Sequence, residues 1–210
     1  AKLVYSLLKK HNIEAELLHK EGHDKRLNVV ARLPGKDPHA AKLALLGHLD
    51  VVPVGNPSNW KHPPFAGIEA DGCIWGRGAL DCLVTVASEV IALIRLKEEG
   101  FQPEGDIILI CEADEEEGAL YGAEFLTEEH WDLVGADYLI NEGGGIPIKT
   151  SENKTQYVFS NAEKGPFWMD IKIKGSPGHA SVPNNKKNTL VKAAKIINNI
   201  SKYSAQIRIT

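Results

Sequence analysis

Gly47-His48-Leu49-Asp50 follows directly on the apolar run Leu43-Ala44-Leu45-Leu46, and the reading of this stretch decides the fold. A strand-like segment here ends in a histidine and an aspartate. Two more apolar runs end in the same manner. Ile107 to Ile110 leads to Asp114-Glu115-Glu116, and Tyr138-Leu139-Ile140 leads to Glu142-Gly143-Gly144. A further carboxylate, Asp81, closes Gly76-Arg77-Gly78-Ala79-Leu80-Asp81. In open α/β sheets, sites are built beyond the carboxyl ends of the strands. One histidine and several carboxylates gathered there point to a hydrolytic site for two divalent metals.

Outward from this stretch, the pattern alternates. Ala1 to Lys10 reads as a helix with Leu3, Leu7 and Leu8 on one face. Ile13 to Leu18, Arg26 to Leu33 and Lys42 to Leu46 read as strands, with Pro34-Gly35 and Asp37-Pro38 marking a loop. Asp71-Gly72 predicts a hairpin turn, because that pair readily takes positive φ. Cys82 to Glu99 is a periodic helix stopped by Gly100. Strand Ile107–Cys111, helix Leu120–Glu129 and strand Tyr138–Asn141 follow. The predicted class is α/β, a mostly parallel sheet with flanking helices.

The pattern changes after Thr150. Ser151 to Gln156 reads as a linker, and Tyr157 to Ser160 and Phe167 to Lys174 as strands. Phe167, Met169, Ile171 and Ile173 alternate with polar residues, as in an antiparallel strand with one wet face. A helix is expected from Thr189 to about Ile200, and a strand at Ile207-Arg208-Ile209. Two domains result: residues 1–160, and the beginning of a smaller α+β domain over residues 161–210.

Each chemical position also admits a purely structural reading. His48 and Asp50 can be a buried hydrogen-bonded pair. Asp81 stands where an N-cap aspartate is commonplace. Glu112 to Glu117 holds five carboxylates in six positions, and such runs are usually solvated. Glu142 can belong to a glycine turn, and His179, in Gly178-His179-Ala180-Ser181, to a solvated loop. Against this stands the position of the acidic run directly after a fully apolar strand. Packed like charges repel unless a cation or proton compensates them.

Composition sets the outer limits. With 43% hydrophobic and 25% charged residues, the 210-residue chain suits one large soluble domain or one and a half. A net charge of −4 without a basic stripe argues against nucleic acid as a partner. Long apolar runs and a signal-like start are not found, so no membrane association or secretion is expected. Cys73, Cys82 and Cys111 read as free thiols of a reducing compartment, so a cytoplasmic location is expected. The opening residue, Ala1, implies a trimmed N-terminus.

Taken in order, the motifs resemble the zinc-dependent metallopeptidase and amidohydrolase family of acetylornithine deacetylase, succinyl-diaminopimelate desuccinylase, aminoacylase and glutamate carboxypeptidase. The resemblance rests on Gly47-His48-Leu49-Asp50-Val51-Val52-Pro53, on Trp60 and Pro64-Phe65 leading to Gly76-Arg77-Gly78-Ala79 and Asp81, on Asp114-Glu115-Glu116-Glu117-Gly118, and on Asn141-Glu142-Gly143-Gly144. Glu163-Lys164-Gly165 and Gly178 to Pro183 resemble the opening of the family's second, lid and dimerisation domain. The resemblance implies two zinc ions per complete active site, with cobalt as a possible substitute. His48, Asp81 and Glu142 would hold one, and Asp81 and Glu116 the other. It implies Glu115 as general acid/base, Asp50 as the residue that orients His48, and His179 as an oxyanion stabiliser reached across a homodimer. It further implies a small amide or peptide substrate, such as an N-acyl amino acid or dipeptide.

Two departures stand out. Cys82-Leu83 follows Asp81 where many members carry an acidic residue or Met and then Lys. The family's last zinc-binding histidine, which comes from a C-terminal segment, has no counterpart up to Thr210, so a partial chain is expected. These departures also motivate an alternative, a metal-poor binding or regulatory relative that has lost catalysis. A third reading is an α/β domain with an acidic surface and no metal.

Overall fold

The computed structural model describes residues 1–143, 145–158, 165, 168–182 and 188–204. The chain divides into two compact units, Ala1–Ser160 and Asn161–Thr210. The first unit begins with helix α1 (Lys2–Lys10) and strands β1 (Glu14–Leu18), β2 (Asn28–Leu33) and β3 (Leu43–His48). A small hairpin, β4 (Ile68–Ala70) and β5 (Cys73–Trp75), precedes helix α2 (Leu83–Glu98). Strand β6 (Ile107–Glu112), helices α3 (Ala123–Glu129) and α4 (Trp131–Val134) and strand β7 (Tyr138–Ile140) follow. A second hairpin, β8 (Ile146–Lys149) and β9 (Thr155–Val158), comes last. In the second unit, helix α5 spans Thr189–Ser201.

The central sheet has the order β1-β2-β6-β3-β7. Strand β3 pairs in parallel with β6 and β7, and β2 pairs antiparallel with β1 and β6. Four strands therefore run one way and β2 opposes them, which makes the sheet mostly parallel. Alternation along the strands fills two cores. Val29, Ala31, Leu33, Leu45, Leu109 and Cys111 face α1 and α2, where Leu8, Val86, Val90 and Leu93 are buried. Val30, Ala44, Ile108 and Ile110 face the other way, onto Phe125, Leu126 and Val134 of α3 and α4. Helices on both faces explain why the parallel strands read as unbroken apolar runs. Tyr138, Leu139 and Ile140 of the edge strand β7 stay more than half exposed.

The topology positions the site. In the parallel β3/β6 ladder His48 pairs with Glu112, so these strand ends lie side by side. Helix α2 starts close above β3 because Gly47 has no side chain. A Cβ there would meet Val86 Cγ2 at 2.9 Å. That close approach brings Asp81 and Cys82, at the head of α2, onto the end of β3.

Several expectations change. In α1, Leu3 is exposed, and Val4, Tyr5 and Leu7 pack beside the buried Leu8. The helix expected from Leu120 begins at Ala123, because residues 114–122 form a tight turn. Ser151 to Gln156 is not a linker. It forms the turn of the β8/β9 hairpin and the first residues of β9. Residues 168–174 form no strand. Among the described residues no neighbouring strand offers them a ladder, and alternation without a partner does not make a sheet. Ile207-Arg208-Ile209 and Phe167 lie outside the described residues. No helix among the described residues is long and apolar enough to cross a membrane.

Candidate metal centre

His48, the last residue of β3, is 2% exposed. Its Nδ1–H donates to the main-chain oxygen of Asp50 at 3.0 Å. A carbonyl can only accept, so this bond fixes the ring and turns Nε2 outward. Around Nε2 stand Asp81 Oδ1 at 3.0 Å, Glu142 Oε2 at 3.4 Å and Glu115 Oε2 at 3.9 Å. Glu116 joins as well: ligand atoms of His48, Glu115 and Glu116 lie within 4.8 Å of one another. Asp81, Glu115, Glu116 and Glu142 thus converge on one imidazole from three separate segments. Asp50 stands behind them.

The Asp50 side chain has a different partner from the one expected. Its carboxylate accepts the backbone N–H groups of Glu115 and Glu116, at 3.1 and 3.2 Å. His48 Nδ1 is 3.6 Å from Asp50 Oδ1, beyond its bond to the main-chain oxygen. Asp50 therefore steadies the ring through its backbone and the glutamate turn through its side chain. That turn is a short 3₁₀ helix, Glu115–Glu117, flanked by left-handed backbone at Asp114, φ +74°, and Gly118, φ +109°. Tight packing also governs its exit. A Cβ at Gly122 would lie 2.0 Å from the Ala113 oxygen, so only glycine fits there.

Charge in the cluster is unbalanced. Burial works against a charged His48 ring, but the bond to Asp81, the Asp50 carbonyl and the Glu142 and Glu115 carboxylates outweigh it and raise the pKa. Burial raises the pKa of Glu115. The His48 charge opposes this, while Glu142, Glu116 and Asp50 add to it. This donor set, an imidazole nitrogen with a fixed tautomer and convergent carboxylate oxygens, fits a divalent cation.

Sequence reasoning gave no site role to four nearby residues. Cys82 Sγ accepts the His48 backbone N–H at 3.1 Å and shares a cluster with His48 and Glu142. Burial pushes its thiol up to about 12, opposed by the His48 backbone and reinforced by Glu142 and Asp81. Its only sequence signal was its departure from the family pattern. Glu112, 4% exposed at the end of β6, is pushed up to about 7 by burial. Asn28 and Arg26 bond to the glutamate turn from the start of β2 and the preceding loop. No spacing motif marks either. His179 lies in the second unit, where its Nδ1 accepts the Ser181 backbone N–H at 3.2 Å and sits 2.7 Å from Ser181 Oγ.

The sequence model of Peptidase family M20/M25/M40 matches residues 44–207, and the chain belongs to that family. It is 39% identical to carboxypeptidase S of Saccharomyces cerevisiae over 160 residues, covering 71% of this chain and 27% of that protein. It is 31% identical to succinyl-diaminopimelate desuccinylase of Paracoccus denitrificans over 155 residues, covering 74% of this chain and 40% of that protein. Among solved structures, an M20 family metallo-carboxypeptidase from Sulfolobus solfataricus superposes with a TM-score of 0.59 at 28% identity, over 69% of this chain and 32% of that one. The chain spans less than half the length of these relatives.

Proposed function

We propose that the protein is a metal-dependent hydrolase that cleaves an amide or peptide bond in a small N-acyl amino acid or dipeptide-like substrate. The observation that carries this reading is the convergence of Asp81, Glu142 and Glu115 on His48 Nε2. The names of the relatives support it: one is a carboxypeptidase and the other a succinyl-diaminopimelate desuccinylase.

In this reading His48, Asp81 and Glu142 would hold one zinc ion, and Asp81 and Glu116 would contribute to a second. When bound, the cations supply Lewis acidity that polarises the carbonyl and acidifies water. Glu115 takes a proton from the attacking water as its oxygen bonds to the carbonyl carbon. It then returns that proton to the amine nitrogen as the C–N bond breaks. Asp50 holds the Glu115–Glu116 turn and, through its carbonyl, the His48 ring.

His179 is assigned to the oxyanion. Its hydrogen bond from Ser181 leaves the proton of a neutral ring on Nε2, ready to donate. Residues 161–210 are read as the opening of a lid and dimerisation domain, and the complete protein as a homodimer. The exposed Leu190 and Ile197 on α5 support a covered face there. The test is metal-dependent hydrolysis of N-acyl amino acids and dipeptides by the full-length protein. Turnover that a chelator abolishes and zinc restores is expected. Stoichiometric zinc binding without turnover on either class would replace this reading with that of a binding relative.

A further inference from the structure

Arg26 reaches the glutamate turn from the segment between β1 and β2. Its guanidinium spans both ends of the turn. It is ion-paired with Asp114, and its Nη2 donates to Glu117 Oε2 at 2.7 Å. Asp114 and Glu117 bracket Glu115 and Glu116 in sequence. The same guanidinium lies over the Tyr121 ring, 5.4 Å from its centroid, and His23 stacks on that ring at 4.1 Å. One cation thus touches the beginning, the end and the exit of the segment that carries the two glutamates.

The turn needs such a hold. Asp114 and Ala119 both have left-handed backbone, φ +74° and +60°, which side chains disfavour. Asp114 is 2% exposed, and its Oδ2 accepts the Tyr121 N–H at 3.3 Å. Its main-chain oxygen also accepts the Ala119 N–H, at 2.6 Å. The knot is therefore tied around one buried carboxylate, next to three consecutive glutamates. Without a cation, that carboxylate is a buried charge among like charges, and its escape to water would unwind the turn. The Glu117 contact, with its carboxylate mostly exposed, adds direction more than strength.

We propose that Arg26 is a positioning residue for Glu115 and Glu116, holding the turn in the conformation that aims both at His48. The proposal rests on the reading of Glu115 as proton carrier and Glu116 as metal ligand.

The experiment compares wild type, Arg26→Met, Arg26→Lys and Glu115→Gln in the full-length protein. Two quantities are measured: hydrogen exchange of the amides at 114–121 in metal-free protein, and kcat and KM with zinc. In Arg26→Met, exchange at Glu115 and Glu116 is expected to accelerate by roughly tenfold or more. Its kcat is expected to fall about 10–100-fold, the scale of an ångström-sized misplacement, while KM stays nearly constant. Arg26→Lys, which keeps the charge without the two-sided reach, should fall between, and it carries the same test if Arg26→Met does not fold. Unchanged exchange across the turn overturns the proposal. So does wild-type kcat in the Arg26 variants beside an inactive Glu115→Gln. Wild-type turnover by Glu115→Gln overturns both the proton-carrier reading and the catalytic positioning built on it, whatever the exchange shows.

Discussion

The carboxylate of Asp50 accepts the backbone N–H groups of both Glu115 and Glu116, at 3.1 and 3.2 Å, and so joins the end of β3 to the turn after β6. These are charge-assisted bonds, stronger than those between neutral groups. Asp50→Asn keeps one acceptor oxygen but sets an NH₂ group against the other N–H. The expected result is a loss in kcat of about 10–100-fold through misplaced glutamates. Zinc bound through His48, Asp81 and Glu142 should persist, since the Asp50 carbonyl still holds the ring. Steady-state kinetics paired with metal analysis checks this. Loss of all metal in Asp50→Asn would show that the side chain, not the carbonyl, supports His48.

The proposed ligands divide by cation. Asp81→Asn should weaken both, because Asp81 is assigned to each. Glu116→Gln should weaken one and leave the other near wild type. A competition titration with a chromophoric chelator resolves the two affinities. Equal weakening of both cations by Glu116→Gln would contradict the assignment.

A buried acid away from the site predicts a pH effect on stability. Glu89 of α2 is 7% exposed, and neither carboxylate oxygen has a hydrogen-bond partner among the described residues. Burial raises its pKa from 4.5 to about 7. Between those values the folded state binds the proton more tightly than the unfolded state. Its contribution is therefore fully present below pH 4.5, falls as pH rises toward 7, and levels off above. The loss is at most about 3 kcal/mol. Glu89→Gln stays neutral throughout. Denaturant melts should show it more stable than wild type at pH 8, by about 1–3 kcal/mol, with a smaller difference at pH 5. Equal stabilities at pH 8 would mean that Glu89 finds a compensating partner in solution.

Gly47 permits the close approach of α2 to β3, since an added Cβ would stand 2.9 Å from Val86 Cγ2 and 3.6 Å from Cys82 Sγ. Gly47→Ala should cost about 1–3 kcal/mol in overpacking. It should also weaken zinc binding, because it pushes Asp81 away from His48. Thermal melts and zinc titration together check this. Destabilisation with unaltered zinc affinity would place the strain away from the site.

Much of this arrangement was legible in the chain because its signals are local. Apolar runs that end in His48, Glu112 and Ile140 became adjacent strand ends. Asp71-Gly72 became a hairpin turn with φ of +55° and +72°. What escaped depends on distant contact. Residues 168–174 alternate like a strand, yet no partner strand lies beside them among the described residues. The β8 strand was hidden by Pro147 and by the glycines before it. At the site, the residue types that converge on His48 were visible, but their supports were not. Arg26 and Asn28 serve the glutamate turn from the start of the neighbouring strand β2 and the loop before it, and nothing in their own sequence announces it. Even Asp50, singled out beside His48, turns its side chain to residues that only the fold brings near.

The proposed division of labour gives the proton to Glu115 and the metal to His48, Asp81 and Glu142. It is tested most directly by the turnover of zinc-loaded Glu115→Gln in the full-length protein, with metal content measured on the same sample and N-acyl amino acids and dipeptides as substrates. Wild-type zinc content and a kcat lower by about 10²–10⁴-fold are expected. Hydrolysis near the wild-type rate by a fully loaded Glu115→Gln would contradict it.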